Sequence, residues 1–412
     1  MFAEPHPSVG GIAAMEEQCV SAADFDLFFA GGGASSLVAP LQPPHNADAG
    51  LVARAARLIS RAIFTAFDSV SEASADGVAS GLVAAGAHNA SAGSLALHLD
   101  DAGACSALAA ALHFLASNSD PRRDAVVGAG AAPLLVAALR RHTASGASEP
   151  CAAAACAKAL GTLGNHGGRD DIARACAVAE AGGVDAILAL LAAQEGAPSR
   201  AALAALDAIA KLANEETCAL FTPAIPVLVA FIANALGGGG GDPQAPPFTA
   251  AERSLEALEA VIAPATVAAV MAAGAIPAVL AVLSDGGARA TAAMGTNACS
   301  ILQELAVNNP PAKNALVAAG ALPLLRALLA PEAAFVDGAC RVRTLRALKA
   351  LRNIVNGDEA RAAACAFEGR APFHARARPP PDQPPTPHTH PFCSSRGWPY
   401  RAAGGAACRP PR

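Results

Sequence analysis

The chain has 412 residues, of which 53% are hydrophobic and only 4% aromatic, and its formal net charge is −5 at pH 7. Its apolar content is therefore mostly alanine, leucine and valine, and the first two are strong helix formers. The negative charge disfavours a general nucleic-acid binder, because neutralising phosphates requires a surplus of lysine and arginine.

The 11 cysteines are scattered singly, with no CxxC or CxxH spacing. We therefore expect small buried hydrophobes in a reducing compartment and no zinc site. The N-terminal segment is acidic and lacks the basic stretch and apolar run of a signal peptide. Proline, glycine or charge interrupts the longest apolar stretches, which disfavours a membrane-spanning protein. These features predict a cytoplasmic or nuclear location.

The N-terminal part of the chain divides at about residue 50. Residues 1–50 contain GG, GGG and PP sequences and are expected to be disordered. Residues 51–79 are predicted to cap the following domain, and 51–70 have the pattern of one amphipathic helix with arginines near one side. These arginines are expected to face water, and a helix lying on a membrane surface is the alternative.

A repeated phrase organises residues 80–368, as in VVGAGAAPLLVAAL, MAAGAIPAVLAVL and VAAGALPLLRALL. The mean spacing between its copies is about 47 residues, near the 40–47 of armadillo and HEAT repeats. The turn positions, in chain order, are Gly86, Gly130, Gly182, Pro223, Gly274, Gly320 and a truncated copy at Gly369.

The residues after each turn predict a helix with one buried stripe. Three residues later comes a proline, asparagine or aspartate, all of which favour the first turn of a helix. Apolar pairs spaced i, i+4 follow, such as Val279/Leu283 and Leu325/Leu329, and lie on one helix face. A longer helix completes each unit. In the last of these, Leu345, Leu348, Leu351 and Val355 are expected to form one apolar face.

Three helices per unit, a glycine turn before the second helix, and the pattern AG-[AI]-x-P-x-[LV]-[LV] resemble the armadillo repeat. The resemblance covers roughly residues 80–368 and implies an all-α fold, an α-α superhelix (solenoid) of about six units. HEAT repeats are the second choice, since their two-helix units lack this turn. Residues 369–412 are expected to be a truncated repeat followed by a disordered tail rich in proline and arginine.

The resemblance implies a non-enzymatic scaffold whose third helices line a concave groove for an extended segment of another protein. Import adaptors of this family carry a Trp and an Asn, four residues apart, on successive third helices. Of the aligned residues here only Asn353 matches, and three lysines disfavour a basic cargo. The predicted groove residues are Lys158, Thr162, Asp207, Lys211, Ser300, Glu304, Lys349 and Asn353.

Other functions find little support in the sequence. The glycine run 237–241 has no following GK[ST] and no preceding strand, so it is not a phosphate loop. Glu252, Glu256 and Glu259 share a helix face, for which a solvated surface is the usual explanation. We expect no catalytic residue, cofactor, metal or small-molecule substrate. The alternatives left open are a nuclear-import-type adaptor and a structural fragment of a larger armadillo protein.

Overall fold

The computed structural model describes 9–18, 22–69, 72–144, 150–165, 172–194, 199–237, 246–284, 291–329, 338–358 and 361–362. Contacts divide the chain into two units, Met1–Cys365 and Ala366–Arg412, and every described residue belongs to the first. Within these residues the secondary structure is entirely helical. The predictions for 369–412, including the seventh turn at Gly369, lie outside the described residues.

In the described part of the chain, four α-helices and two short 3-10 helices, Ala39–Leu41 and His45–Ala47, precede the repeats. The α-helices are α1 (Val9–Gln18), α2 (Ala22–Ala30), α3 (Gly33–Val38) and α4 (Ala49–Ser69). The prediction that residues 1–50 are disordered is wrong for the described part of that segment, because α1, α2 and α3 pack against α4. Ile12, Phe25 and Leu37 are almost fully buried. This local core of large apolar side chains outweighs the glycine and proline signals on which the prediction relied.

Six three-helix units follow. Unit 4 begins with a 3-10 helix, Cys218–Ala224, in place of its first α-helix. The remaining helices are α5 (Glu72–Ala84), α6 (Ala87–Leu97), α7 (Ala102–Ala116), α8 (Asp120–Gly128), α9 (Ala131–Ala144), α10 (Pro150–Leu163), α11 (Ile172–Glu180), α12 (Gly183–Ala193), α13 (Arg200–Leu212), α14 (Ile225–Gly237), α15 (Pro246–Val261), α16 (Val267–Ala272), α17 (Ala275–Ser284), α18 (Ala292–Ala306), α19 (Pro310–Ala318), α20 (Ala321–Ala327) and α21 (Gly338–Val355).

The glycine turns lie between the first and second helices, as the sequence predicts. The five predicted turn glycines at 86, 130, 182, 274 and 320 have φ values from +74° to +85°. A side chain is strained in this left-handed conformation, so glycine is favoured there. In unit 4 the turn position is Pro223, and the chain instead runs through the 3-10 helix directly into α14.

The third helices α7, α10, α13, α15, α18 and α21 pack side by side in one row that begins on α4. We call this the third-helix row. Small residues let its members approach closely: a Cβ added to Gly161 on α10 would lie 2.8 Å from the Ala208 Cα on α13. One aligned position is fully buried at each successive junction and holds Ala109, Ala157, Leu206, Leu255 and Cys299.

The corresponding residue of α21 is exposed. Leu348 is 53% exposed and Leu345 is 51% exposed, so the predicted apolar face of this helix is wrong at both positions. Leu351 is buried, and Ala347, Ala350 and Ile354 provide the rest of the buried side. Inside the row, each third helix is covered on one side by the helix before it and on the other by the helix after it. Among the described residues no further third helix lies against α21, so its second side is exposed.

Buried arginines link the first helices of neighbouring units. Arg174 on α11 donates to Asp120 at 2.9 Å and to Asp124 at 2.7 Å, both on α8. Arg122 on α8 donates to Asp76 on α5 at 2.7 Å. Since the arginines are buried and the carboxylates are exposed at the rim, each pair joins two units without leaving a buried charge unpaired.

Replacing Leu283 with Asp should lower the free energy of unfolding by at least about 3 kcal/mol, because a buried charge would lack a partner. Leu329 is only partly buried and lies after the end of α20, contrary to the expectation that it is buried like Leu283. Leu329→Asp should therefore cost about 1 kcal/mol. Urea unfolding followed by circular dichroism measures both, and equal losses would contradict this assignment.

Replacing Gly161 with Ala should destabilise the protein, although alanine is the better helix former by about 1 kcal/mol. The added methyl group would overlap the α13 backbone at Ala208. The control is Gly81→Ala on α5, where a Cβ meets nothing within 4 Å and a gain of up to about 1 kcal/mol is expected. If both variants are stabilised in thermal unfolding, the close approach of α10 and α13 is refuted.

Candidate functional site

The exposed face of the third-helix row contains a depression that crosses four consecutive helices. It has a volume of about 630 Å³ and extends from Ser106 on α7 to Arg253 on α15. We call it the basic groove. Its lining includes the four cations Lys158, Arg200, Lys211 and Arg253, and a single carboxylate, that of Asp207. A surplus of three positive charges therefore lies along a chain whose overall charge is negative.

Two of the four cations are paired on their own helices. Lys211 donates to Asp207 at 2.7 Å, and Arg253 donates to Glu256 at 2.7 Å. Lys158 and Arg200 are exposed. The Arg253–Glu256 pair is exposed, and such pairs are stabilised only weakly, so Arg253 can still act on a ligand together with Lys158 and Arg200.

The eight predicted groove residues do not form one site. Lys158, Asp207 and Lys211 line the basic groove together. Thr162 and Ser300 were predicted to line it, but they are 5% and 2% exposed, so neither presents a usable side chain. The helix-end alignment placed them on the open face, but each side chain is covered where neighbouring third helices meet.

The other three predicted residues lie farther along the row. Glu304 on α18 accepts a hydrogen bond from Gln303 at 2.9 Å. Asn353 on α21 donates to the carbonyl of Gln303 at 3.3 Å, so this amide already bridges two helices. Lys349 is partly buried on α21. None of the three lines the basic groove.

A histidine lies beneath the groove. The Thr162 hydroxyl donates to the Lys158 carbonyl at 3.0 Å, and His113 Nδ1 lies 2.6 Å from the same hydroxyl oxygen. The oxygen can therefore accept the Nδ1–H of a neutral imidazole. Burial, reinforced by the positive charges of Lys158 and Lys211, lowers the pKa of His113 to about 3. The ring thus stays neutral near pH 7 and joins α7 to α10.

The buried thiols are unsuited to nucleophilic chemistry. Burial raises the pKa of Cys105 and of Cys299 to about 12, so both remain protonated near pH 7. Cys156 and Cys218 are buried too, as expected for small hydrophobes, but Cys176 is only half-buried and Cys151 is exposed, contrary to that expectation. Among the described residues, no group of three His, Cys, Asp or Glu side chains could hold a metal ion.

An apolar pocket of about 210 Å³ lies where α4 meets α7, and sequence reasoning missed it. Phe64, Phe67 and Phe114 line it, and the Phe64 and Phe114 rings meet edge to face at 6.2 Å. We call this the aromatic pocket. Three phenylalanines in a chain with 4% aromatic residues were the available signal. The sequence analysis did not use this signal, because it assigned α4 to an N-terminal cap and not to the start of the third-helix row.

One stretch of the described chain, Cys218–Ala235, is long and apolar enough to cross a membrane, with a mean hydropathy of 1.9. The α11–α12 pair passes the same test jointly, but is bent by 70°. Half of the first stretch is buried in the protein, and α14 packs against α15 and α17. Pro223 interrupts it, as the sequence indicated.

Comparison with known proteins identifies the fold. No protein-family model and no curated protein sequence matches the chain. A solved structure concerning a phosphorylation switch between cadherin and beta-catenin aligns with a TM-score of 0.60 and 17% identity, over 84% of this chain and 60% of that one. A designed armadillo repeat protein in complex with the peptide (KR)4 aligns with a TM-score of 0.49 and 21% identity, over 62% and 97% of the two chains.

The chain is therefore an all-α superhelix of the armadillo type. The TM-score of 0.60 and the six three-helix units agree on this assignment. At 17% identity the likeness shows the fold alone.

Acid should destabilise the protein partly through His113. Folding lowers the pKa of His113 from the value of about 6.5 that it has in the unfolded chain. Above that pH the ring is neutral in both states, so the free energy of unfolding does not depend on pH through this group. Below it the unfolded chain binds a proton that the folded protein does not, and the free energy of unfolding falls. Between pH 7.5 and 5.0 the loss should reach about 2 kcal/mol. Urea unfolding of the parent and of His113→Asn at both pH values measures it, and equal pH dependence of the two proteins would contradict the assignment.

Proposed function

We propose that this chain is a non-enzymatic scaffold that binds an extended, acidic segment of a partner protein in the basic groove. The observation that carries the proposal is the lining of that groove, four cations against one carboxylate across four consecutive helices. A charged depression of this length fits an extended chain, since stacked repeats leave a continuous surface and complementary charges set the preferred ligand. The solved structure that aligns with a TM-score of 0.60 concerns an interaction between two proteins, cadherin and beta-catenin.

The import-adaptor alternative is less well supported. Its cargo is basic, and Lys158 and Arg200 would repel it from the centre of the groove. Asn353, the single residue that matches the adaptor pattern, is bonded to the carbonyl of Gln303. An enzymatic function has no support in the groove, whose described lining contains no histidine and no nucleophile paired with a base. A cytoplasmic or nuclear location remains part of the proposal.

The proposal predicts how binding responds to charge reversal. The probe is a fluorescein-labelled (Glu-Ser)6 peptide, and the variant is Lys158→Glu with Arg200→Glu. Both side chains are exposed, so the melting temperature should change little while Kd rises at least about tenfold at low salt. The difference should shrink as ionic strength increases. Fluorescence anisotropy measures Kd.

The matched control reverses two arginines away from the groove, Arg140→Glu with Arg141→Glu on α9. It makes the same change in net charge, but should alter Kd less than twofold. If both double variants weaken binding equally, overall charge and not the groove controls the interaction. Tighter binding of (Lys-Ser)6 than of (Glu-Ser)6 would overturn the acidic ligand and favour the import-adaptor alternative.

A further inference from the structure

The aromatic pocket differs from the basic groove in chemistry and lies on the same third-helix row. Phe64 and Phe67 are 52% and 53% exposed, near the C-terminal end of α4. With Phe114, whose ring meets that of Phe64, they form the apolar side of a cleft. The Asp76–Arg122 ion pair, Ser117 and Asn118 complete its lining. Its volume of about 210 Å³ is below the 300–1,000 Å³ typical of small-molecule sites, and suits a single side chain.

Arg122 holds in place the side of the pocket that α5, α7 and α8 form. This side chain is 6% exposed and donates to Asp76 at 2.7 Å and to the Leu115 carbonyl at 2.9 Å. These bonds tie the end of α7 to α5 and α8. That side of the pocket is therefore preformed, and a ligand would not have to order it, which favours affinity.

We infer that the aromatic pocket holds a bulky apolar side chain, aromatic or leucine, that belongs to the same acidic segment bound in the basic groove. This inference rests on the proposed function and adds a second requirement to the ligand. A third ring in the cleft would gain edge-to-face contacts with the rings of Phe64 and Phe114. Burying such a side chain should tighten binding about tenfold once the costs of association are met.

The distance between the two sites sets the spacing within the ligand. The aromatic pocket lies between α4 and α7, and the basic groove is centred near α10 and α13. Neighbouring packed helices are about 8–10 Å apart, so the sites are separated by roughly 20 Å. An extended chain advances about 3.3 Å per residue, which places the apolar residue about six residues from the acidic run.

The charge of the chain's own C-terminal residues argues against them as the occupant of the aromatic pocket, and favours a segment of another protein. Residues 366–412 contain Trp398 and Tyr400, but also seven arginines against two acidic residues. A segment of that charge would be repelled where it continued into the basic groove. An acidic segment of a partner satisfies both sites at once, so we assign the pocket to the partner.

The test uses labelled peptides with four glutamates, a six-residue Gly-Ser spacer, and either Phe or Ala at the far end. Both orders are made, because the polarity of the ligand is unknown. With the full chain, the Phe peptide of one order should bind about tenfold more tightly than its Ala counterpart. The variant Phe64→Ser with Phe67→Ser should abolish this difference and leave binding of the Ala peptide unchanged.

The control is Leu97→Ser, which removes another exposed apolar side chain, 61% exposed at the end of α6. It should leave the tenfold preference intact, and melting curves confirm that all variants are folded. If the acidic peptides bind but Phe gives no advantage, the inference is overturned and the proposed function stands. If no acidic peptide binds, the proposed function fails first.

Two further outcomes would reassign the pocket. If Trp398→Ala tightens binding of the Phe peptide, the chain's own C-terminal segment competes for the pocket, and a partner is not its resident ligand. If anionic phospholipid vesicles bind the chain and the Phe64/Phe67 variant loses that binding, the exposed aromatic edge of α4 is a membrane contact. Either result overturns the inference.

Discussion

Close packing between third helices is the constraint on which the rest of the structure depends. From α7 to α18, each of these helices must present small or well-fitted side chains on two sides, because it touches the helix before and the helix after it. Alanine meets that requirement without much side-chain entropy, and this explains a chain rich in alanine and poor in aromatic residues. At Gly161 even a methyl group is excluded by the α13 backbone. The side of each third helix that no other helix covers forms the open face of the row. The packing therefore also decides which residues a ligand can reach.

The fold could be predicted because its determinants are local and repeated. A glycine at positive φ, a helix-starting residue three positions later and an i, i+4 apolar pair recur in nearly every unit. Asn118 and Asn308, which follow third helices, adopt the left-handed conformation that asparagine tolerates, with φ values of +58° and +47°. The N-terminal segment could not be predicted in this way, since Ile12 and Phe25 are buried by contacts outside any repeat.

The candidate site was harder to predict because it depends on contacts between units. Alignment of helix ends predicted that Lys158, Asp207 and Lys211 lie on the same face, and all three line the basic groove. The same alignment could not show that Thr162 lies beneath the groove beside His113, or that Ser300 is buried. The aromatic pocket brings together residues some 50 positions apart, on helices that the sequence assigned to different domains. Only the packing of α4 onto α7 places them together.

The aligned position that is fully buried in successive third helices also bears on how such a chain can change in evolution. Ala109, Ala157, Leu206, Leu255 and Cys299 differ in size, yet each is completely buried. Junctions of equivalent geometry make the units modular, so a duplicated unit can enter the stack without redesigning its neighbours. Each such unit would add about one helix spacing, roughly 9 Å, to the open face. By this route, the length of segment that the surface recognises could change independently of the residues that recognise it.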